Sequence, residues 1–278
     1  MRVFITYGDT GFEVAKANII KAAMNIGVFD EVFAYGREDL SRELLLSNII
    51  NIKRGGGLWS WKPDVINHTM QNAKDGDIIV YCDSGCSLQK SKEWDWYWKQ
   101  LNYCDIIAQR VYKRNDRYTR KELIDLFKES NGEGWLRCYQ YQATIIVLKI
   151  STFTRELISE WHDLMIKHPV LAMDVTDNER NKQHSTLIEN RHDQAIFSAL
   201  IYKYLNNPET KNRIYTCWER TEDLHPFRNQ AIRATRLRQG EIETAKLKVE
   251  RINKRLIKEY ILRPFVFGPR QLYYSHIK

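Results

Sequence analysis

With 278 residues, 43% of them hydrophobic and 12% aromatic, and a formal net charge of +8, the chain has the composition of a folded globular protein. This length can bury the core of one large or two modest domains, and the composition excludes an intrinsically disordered chain. No apolar run approaches the roughly 20 residues of a spanning helix, and no signal peptide pattern opens the chain, so we expect a cytoplasmic protein.

The first third of the chain alternates strand-like and helix-like segments. Short apolar runs predict strands, apolar residues at helical spacing predict helices, and Gly27 closes the first helix. The strands are expected at residues 3–6, 31–36 and 77–83, and the helices at residues 12–27, 37–48 and 62–74. This alternation predicts a parallel sheet covered by helices.

The remaining elements are predicted from the same patterns. A β-branched run predicts a further strand, and apolar periodicity predicts helices on both sides of it. The expected helix that begins near Tyr118 is capped by Thr119, with Glu122 three residues later. The strand is expected at residues 142–150 and the helices at residues 91–101, 118–127, 153–168 and 191–205.

A glycine-rich stretch, RGGGLWSWKP at residues 54–63, precedes the helix at 62–74. Three consecutive glycines often mark a place where a side chain would obstruct something, and Pro63 suits the first turn of a helix. Lys62 then lies near free helix N–H groups that favour an anion, which predicts a diphosphate site. The alternative is a flexible loop followed by a helix that starts with proline.

Asp83 ends the apolar run of GDIIVYCDSGCSL, residues 76–88. A carboxylate at the tip of a parallel strand lies where α/β enzymes bind ligands, and it can hold a divalent metal that bridges phosphates. Gly85 would let a ligand approach the backbone closely. The alternative is an ordinary turn, because turns favour Asp, Ser and Gly.

Together these motifs resemble bacterial GT-A glycosyltransferases of capsule, O-antigen and lipooligosaccharide loci. The resemblance rests on ITYGD, GGGLWSWKPDVI, GDIIVYCDSGCSL and RHDQAIFSAL in this order, and it covers roughly residues 1–225. It implies an α/β, GT-A-like (Rossmann-like) mixed sheet flanked by helices. Asp83 matches the first acid of the family's DxD motif, but the third position is Gly85, which makes the motif DSG.

The resemblance also implies roles for individual residues. Asp193 would be the base that takes a proton from the acceptor, although a carboxylate at a helix N-terminus is favoured there in any case. Trp59 and Trp61 could stack on base or sugar, or simply pack in the core. The implied nucleotide-sugar-binding residues are Thr6, Tyr7, Gly8, Gly57, Trp61, Lys62, Asp83, Ser84, Gly85, Gln142 and Gln194.

Asp83 and His225 would hold Mn²⁺ or Mg²⁺ in this resemblance. A single carboxylate holds such a metal weakly unless phosphates, water or another side chain also contribute. The implied reaction transfers a sugar from a nucleotide-sugar, expected to be a UDP-sugar, to a hydroxyl of a surface-polysaccharide or lipid-linked glycan. The residues leave inversion and retention of the anomeric configuration equally open.

The basic charge is concentrated at the C-terminal end. Residues 228–278 carry 13 basic and four acidic residues, a net charge of +9, which leaves residues 1–227 at −1. We therefore expect a catalytic domain at 1–227 and a basic, mainly helical extension at 228–278. An apolar stripe along the extension could pack on the catalytic domain or, with its positive charges, hold the protein on the anionic cytoplasmic face of the membrane.

Two other functions remain open from the residues. The basic extension could belong to a nucleic-acid-binding protein, but no recognised motif supports this, so no nucleic acid is expected as a partner. A sugar nucleotidyltransferase would also bind a nucleotide. Its glycine-rich loop would be expected directly after the first strand, whereas this chain places the glycines before a later helix.

Overall fold

A seven-stranded mixed β-sheet with helices on both faces forms most of the described structure. This computed structural model describes residues 1–220, residues 230–235 and Ile257. The strands are β1 (Arg2–Tyr7), β2 (Glu31–Tyr35), β3 (Ile78–Cys82), β4 (Ser87–Leu88), β5 (Ile106–Arg114), β6 (Tyr139–Tyr141), β7 (Ile145–Lys149), β8 (Ile214–Trp218) and β9 (Ile232–Arg233).

The helical segments of the described residues range from single turns to 16 residues. They are α1 (Glu13–Ile26), α2 (Arg42–Leu46), α3 (Gly55–Leu58), α4 (Trp61–Gln71), α5 (Glu93–Leu101), α6 (Asn115–Tyr118), α7 (Lys121–Leu126), α8 (Lys128–Asn131), α9 (Thr152–Lys167) and α10 (His192–Asn206).

The sheet has the strand order β2-β1-β3-β7-β5-β6, and β8 also pairs with β5. β1 runs parallel to both β2 and β3, and β8 runs parallel to β5. β7 is antiparallel to β3 and β5, and β6 is antiparallel to β5. The predicted mixed sheet flanked by helices is confirmed, while the parallel pattern is restricted to the first three strands and the β5–β8 pair.

Both faces of the central strands are buried because apolar residues occupy successive positions and successive side chains point to opposite faces. Phe4 of β1 belongs to a core cluster that contains residues of α1 and α5. Its neighbour Ile5 belongs to a second cluster that contains residues of α4, α9 and α10. Helices therefore cover the sheet on both sides and leave the strand ends open.

Several predicted elements are confirmed, and α1 shows why. It ends at Gly27, whose φ of 68° is the left-handed conformation that glycine adopts without steric cost. The single helix predicted at residues 37–48 is wrong. Ser41 has an extended backbone there and starts a separate helix, α2, by accepting a hydrogen bond from the Leu44 N–H.

The predicted cap at Thr119 is also wrong. Helix α7 begins at Lys121, with Arg120 as its N-cap residue. The Thr119 hydroxyl is buried and accepts a hydrogen bond from Gln140 Nε2, and Glu122 binds the Arg120 guanidinium instead of the backbone of Thr119. Tertiary partners from distant parts of the chain thus replace the local capping pattern.

Residues 230–235 pack on the rest of the described structure. β9 pairs with β4, and the Ala231 N–H donates to Glu93 Oε2 over 2.8 Å. The Thr235 hydroxyl donates to the Gly85 carbonyl, also at 2.8 Å. Most of the predicted extension at 228–278, including its helix, lies outside the described residues. Within the described residues, no helix is long and apolar enough to cross a membrane.

A buried contact between a histidine and an aspartate joins α4 to α9. His162 Nε2 lies 2.8 Å from Asp64 Oδ1, and Ser41 donates both its N–H and its hydroxyl to the same carboxylate. Burial alone would raise the pKa of Asp64, but the hydrogen bonds from His162 and Ser41 lower it below its ordinary value. The carboxylate is therefore stabilised by partners from two other segments.

We expect His162→Ala to lower the free energy of unfolding by about 3 kcal/mol, because it leaves a buried carboxylate short of a partner and opens a cavity. Urea unfolding at neutral pH measures this loss. The control is His168→Ala at the exposed C-terminal end of the same helix, which should change stability by less than about 0.5 kcal/mol. Equal losses in the two variants would contradict a stabilising role for the pair.

Candidate functional site

A cavity of about 560 Å³ opens at the carboxyl ends of β1 and β3. These two strands are parallel neighbours, so the residues that follow them meet at one edge of the sheet. The lining combines aromatic, cationic and acidic side chains: Tyr7, Phe12, Trp59 and Trp61; Lys53, Arg54, Lys62 and Arg191; Asp9, Asp83 and Asp193. Ligand sites of α/β sheets commonly occupy this position.

At the inner wall of the cavity, the Lys62 ammonium joins two carboxylates. Its Nζ lies 3.3 Å from Asp83 Oδ1 and 2.9 Å from Asp193 Oδ2. It also donates to the Ala143 carbonyl at 3.2 Å. The Lys62 side chain is only 3% exposed, so its ammonium has little contact with solvent and faces two carboxylates and one carbonyl.

Three different elements bring these side chains together. Asp83 directly follows β3, and its N–H donates to the Thr144 carbonyl just before β7. Lys62 is the second residue of α4, and Asp193 is the second residue of α10. The Tyr81 hydroxyl donates to Asp83 Oδ1 over 2.6 Å, which fixes the carboxylate from the side of the sheet.

Burial and the neighbouring charges have opposite effects on the pKa values of Lys62 and Asp83. Burial alone would lower the pKa of Lys62, but the carboxylates of Asp193 and Asp83 raise it above its ordinary value. Burial raises the pKa of Asp83, although Lys62 and the Tyr81 hydroxyl favour its charged form. Lys62 therefore stays protonated, and its charge opposes the rise that burial causes in the pKa of Asp83.

The glycine-rich stretch forms a left-handed turn at the cavity mouth. Residues 55–59 all have positive φ angles: 59°, 56° and 96° at Gly55, Gly56 and Gly57, then 55° at Leu58 and 62° at Trp59. A Cβ on Gly55 would lie 2.6 Å from the Trp59 ring, and one on Gly57 would lie 2.9 Å from Ile50 Cα. The first and third glycines are thus required by close packing as well as by conformation.

The same turn uses its own N–H groups. Gly56 and Gly57 donate to the carbonyls of Lys53 and Ile52, and Leu58 and Trp59 donate to those of Arg54 and Gly55. These N–H groups of the turn are therefore paired. The predicted diphosphate site depends on N–H groups at the start of α4, and one of these, the Lys62 N–H, donates to the Trp59 carbonyl. The turn positions the Trp59 ring and the Arg54 side chain along the cavity.

His192 connects the glycine-rich turn to α10. Its Nδ1 donates to the Ala172 carbonyl at 2.7 Å, which leaves Nε2 to accept a hydrogen bond from Arg54 Nε at 3.0 Å. The imidazole packs against the Trp59 ring, and Arg54 also lies 3.3 Å from Asp174. The positive φ of 52° at His192 is unusual for this residue type and adds local strain directly before Asp193.

Most residues that the sequence predicts for the site line this cavity. Tyr7, Gly8, Trp61, Lys62, Asp83, Ser84, Gly85, Asp193 and Gln194 belong to the lining. Thr6, Gly57 and Gln142 do not: the Thr6 hydroxyl donates to the Cys82 carbonyl, Gly57 packs on Ile50, and the Gln142 N–H donates to the Gln109 carbonyl. His225 lies outside the described residues.

Sequence reasoning missed several cavity residues, above all the cations. Lys53, Arg54 and Arg191 line the cavity together with Asp9 and His192. Arg54 and Arg191 stand in the stretches RGGG and RHDQ, directly beside residues that the sequence singled out. This adjacency was the available signal, but no local pattern predicts that segments 138 positions apart meet.

The donor set does not fit a divalent metal held by protein ligands. Among residues 1–220 and 230–235, no group of three His, Cys, Asp or Glu side chains could hold a metal ion. Gly85 offers no side chain, and Asp83 Oδ1 already interacts with the Tyr81 hydroxyl and the Lys62 ammonium. The predicted partner of Asp83 in metal binding, His225, is not among the described residues.

Comparisons with known proteins found similar solved structures. No family model and no curated protein sequence matches the chain. A glycosyltransferase involved in glycosylation of the major capsid of PBCV-1 aligns at 9% identity and a TM-score of 0.42, covering 79% of this chain and 83% of its own. The galactosyltransferase LgtC, solved with donor and acceptor sugar analogues, aligns at 12% identity and a TM-score of 0.39, covering 91% and 96%.

A third solved structure is the apo form of mouse xyloside xylosyltransferase 1. It aligns at 8% identity with a TM-score of 0.40 and covers 80% of this chain and 88% of its own. Scores and identities this low carry no argument about the chemistry of this chain.

We expect Gly57→Ala to destabilise the protein by about 2–4 kcal/mol, because the new Cβ meets the Ile50 backbone and the residue keeps a positive φ. Gly76→Ala is the matched control. Its φ of 92° is close to the 96° of Gly57, but no atom lies within 4 Å of the added Cβ. Thermal unfolding compares the two, and equal losses would show that the close approach to Ile50 adds nothing.

Proposed function

We propose that the chain is a glycosyltransferase that binds a nucleotide-sugar in this cavity and transfers the sugar to a hydroxyl of a glycan. One observation carries the proposal: a single cavity combines arginine and lysine side chains with two carboxylates fixed by a buried ammonium. Cations suit a diphosphate, and fixed carboxylates suit the hydroxyls of a sugar. The volume also lies within the range of about 300–1,000 Å³ typical of small-molecule sites.

The diphosphate of the ligand is expected to bind to Lys53, Arg54 and Arg191. All three line the cavity, and the Arg54 side chain is 54% exposed. Guanidinium groups bind phosphate oxygens through two parallel hydrogen bonds, and lysine adds a compact positive charge. These cations would also absorb the charge that develops on the departing diphosphate.

The sugar of the ligand is expected to bind to Asp83 and Asp193. Their carboxylates lie on either side of Lys62, and Asp83 retains 28% of its side-chain surface. A carboxylate accepts hydrogen bonds from sugar hydroxyls, and its negative charge stabilises positive charge that develops at the anomeric carbon. Aromatic rings at Tyr7, Trp59 and Trp61 offer apolar surface in the same cavity.

The reaction follows from this placement. The bond between the anomeric carbon and the phosphate oxygen breaks, and its electron pair leaves with the nucleoside diphosphate. The acceptor oxygen forms the new bond to the anomeric carbon, and Asp193 takes the proton of the acceptor hydroxyl. We further propose a UDP-hexose as donor and a surface-polysaccharide or lipid-linked glycan as acceptor. The positive charge of residues 228–278 supports a contact with an anionic membrane.

The site does not favour the other two functions. An extended basic groove would suit a nucleic acid, whereas this cavity places three carboxylates among its cations. A nucleotidyltransferase would be expected to use its glycine-rich loop for the phosphates. Here the N–H groups of residues 56–59 donate within their own turn.

We expect a matching nucleotide-sugar to raise the melting temperature by roughly 5 °C at saturating concentration, because it binds only the folded state. Thermal unfolding should be compared across UDP-, GDP-, dTDP- and CMP-sugars. Free monosaccharides and nucleosides, which lack the diphosphate, are the controls and should have little effect. Absence of a shift with every nucleotide-sugar would contradict the proposed function.

We expect Asp193→Asn to lower the rate of sugar transfer by about 100-fold or more, while the dissociation constant of the donor rises by no more than about tenfold, because Asn keeps one oxygen that can accept a sugar hydroxyl. Donor binding by calorimetry and turnover by release of nucleoside diphosphate measure the two effects separately. Asp177→Asn, at an exposed position outside the cavity, is the control and should retain full activity. Undiminished turnover in Asp193→Asn would contradict the role of Asp193 as the base.

A further inference from the structure

The position between Asp83 and Asp193 is already taken by a cation. Lys62 Nζ lies 3.3 Å from one carboxylate and 2.9 Å from the other, and it donates a hydrogen bond to the Ala143 carbonyl. A divalent ion placed between the same two carboxylates would meet this ammonium at close range. Like charges at such a distance repel each other strongly in a buried site.

The remaining donors near Asp83 also differ from those of a metal site. Mg²⁺ and Mn²⁺ prefer several hard oxygen ligands, usually from more than one carboxylate. Here Gly85 contributes no side chain, and one oxygen of Asp83 accepts the Tyr81 hydroxyl. Within the described ranges, no set of three potential ligands comes together.

Other cations lie near the phosphate site, and Arg191 among them also pairs with Glu189 over 3.1 Å. Lys53, Arg54 and Arg191 line the same cavity as the Asp83–Lys62–Asp193 group. Arg54 is held through Nε by His192 and Asp174, and its side chain remains 54% exposed. Cationic side chains can neutralise a diphosphate without a metal ion, provided that they converge on it.

We propose that this chain binds its nucleotide-sugar without a divalent metal: Lys62 bridges the carboxylate pair, and Lys53, Arg54 and Arg191 neutralise the diphosphate. The inference rests on the proposed function and specifies the chemistry of the same site. The two carboxylates raise the pKa of Lys62, so it keeps its charge under all ordinary conditions. The lysine is therefore a permanent cation between the two carboxylates, whereas a metal ion would supply positive charge there only while it is bound.

Calorimetric titration of the wild-type chain with UDP, GDP and dTDP tests the inference. Each titration is done in the presence of EDTA and again with Mn²⁺. We expect the best of the three diphosphates to bind with dissociation constants that agree within about twofold in the two conditions. Binding that is about tenfold or more tighter with Mn²⁺ would overturn the inference and leave the proposed function in place. Failure of all three to bind in either condition would overturn both.

Substitution of single cavity cations tests whether these side chains bind the diphosphate directly. The alternative is a general attraction between the positively charged protein and an anion. We expect Lys53→Ala and Arg191→Ala each to weaken binding of the diphosphate in EDTA by about tenfold, since each removes a charge-assisted hydrogen bond. Lys21→Ala, on the exposed face of α1, is the control and should have no effect. Equal affinities of all three variants would overturn the role given to the cavity cations.

Lys62→Ala gives an independent test. Removing the ammonium leaves two neighbouring carboxylates without a cation, and Mn²⁺ can then occupy the space between them. We expect binding of the diphosphate by this variant to become at least about tenfold tighter with Mn²⁺ than with EDTA, in contrast to the wild type. The same response to Mn²⁺ in both proteins would contradict the inference. If the variant does not fold, the wild-type titration and the cavity variants decide.

Discussion

The buried ammonium of Lys62 is the contact on which the site depends. Asp83 and Asp193 come from different elements, and two ionised carboxylates in one buried group repel each other unless a cation lies between them. The lysine therefore fixes the distance between the end of β3 and the start of α10. Because α4 carries the lysine, these three elements are held in one arrangement around the cavity.

The glycine-rich turn also lines the cavity, and its backbone is strained. Five consecutive residues with positive φ include two that are not glycine, and such residues are costly in a left-handed conformation. The contact between Trp59 and His192 and the hydrogen bond from Arg54 to His192 oppose this cost. The same contacts bring Arg54 to the cavity, so the strained backbone and the cationic wall have a common origin.

The sequence predicted the parts of the fold that depend on local patterns. Local signals at strand ends and helix starts predicted buried strand β3, helix α1 with Gly27, and the side chains of Lys62 and Asp83. The role of Asp193 was implied only by the family resemblance. The cap at Thr119 was wrong because the Thr119 hydroxyl pairs with Gln140 and Glu122 pairs with Arg120 in the folded chain. The cations of the cavity were missed because Arg54 meets His192 only through tertiary structure. Local rules find such elements but cannot state which distant side chains will meet.

A crystal structure of the wild-type chain with UDP bound, grown in the presence of Mn²⁺, tests the central claim most directly. The account predicts a diphosphate that lies against Lys53, Arg54 and Arg191, with Lys62 still between Asp83 and Asp193 and no metal ion on either carboxylate. A metal ion that bridges Asp83 to the diphosphate, or a nucleotide bound outside this cavity, would contradict the account.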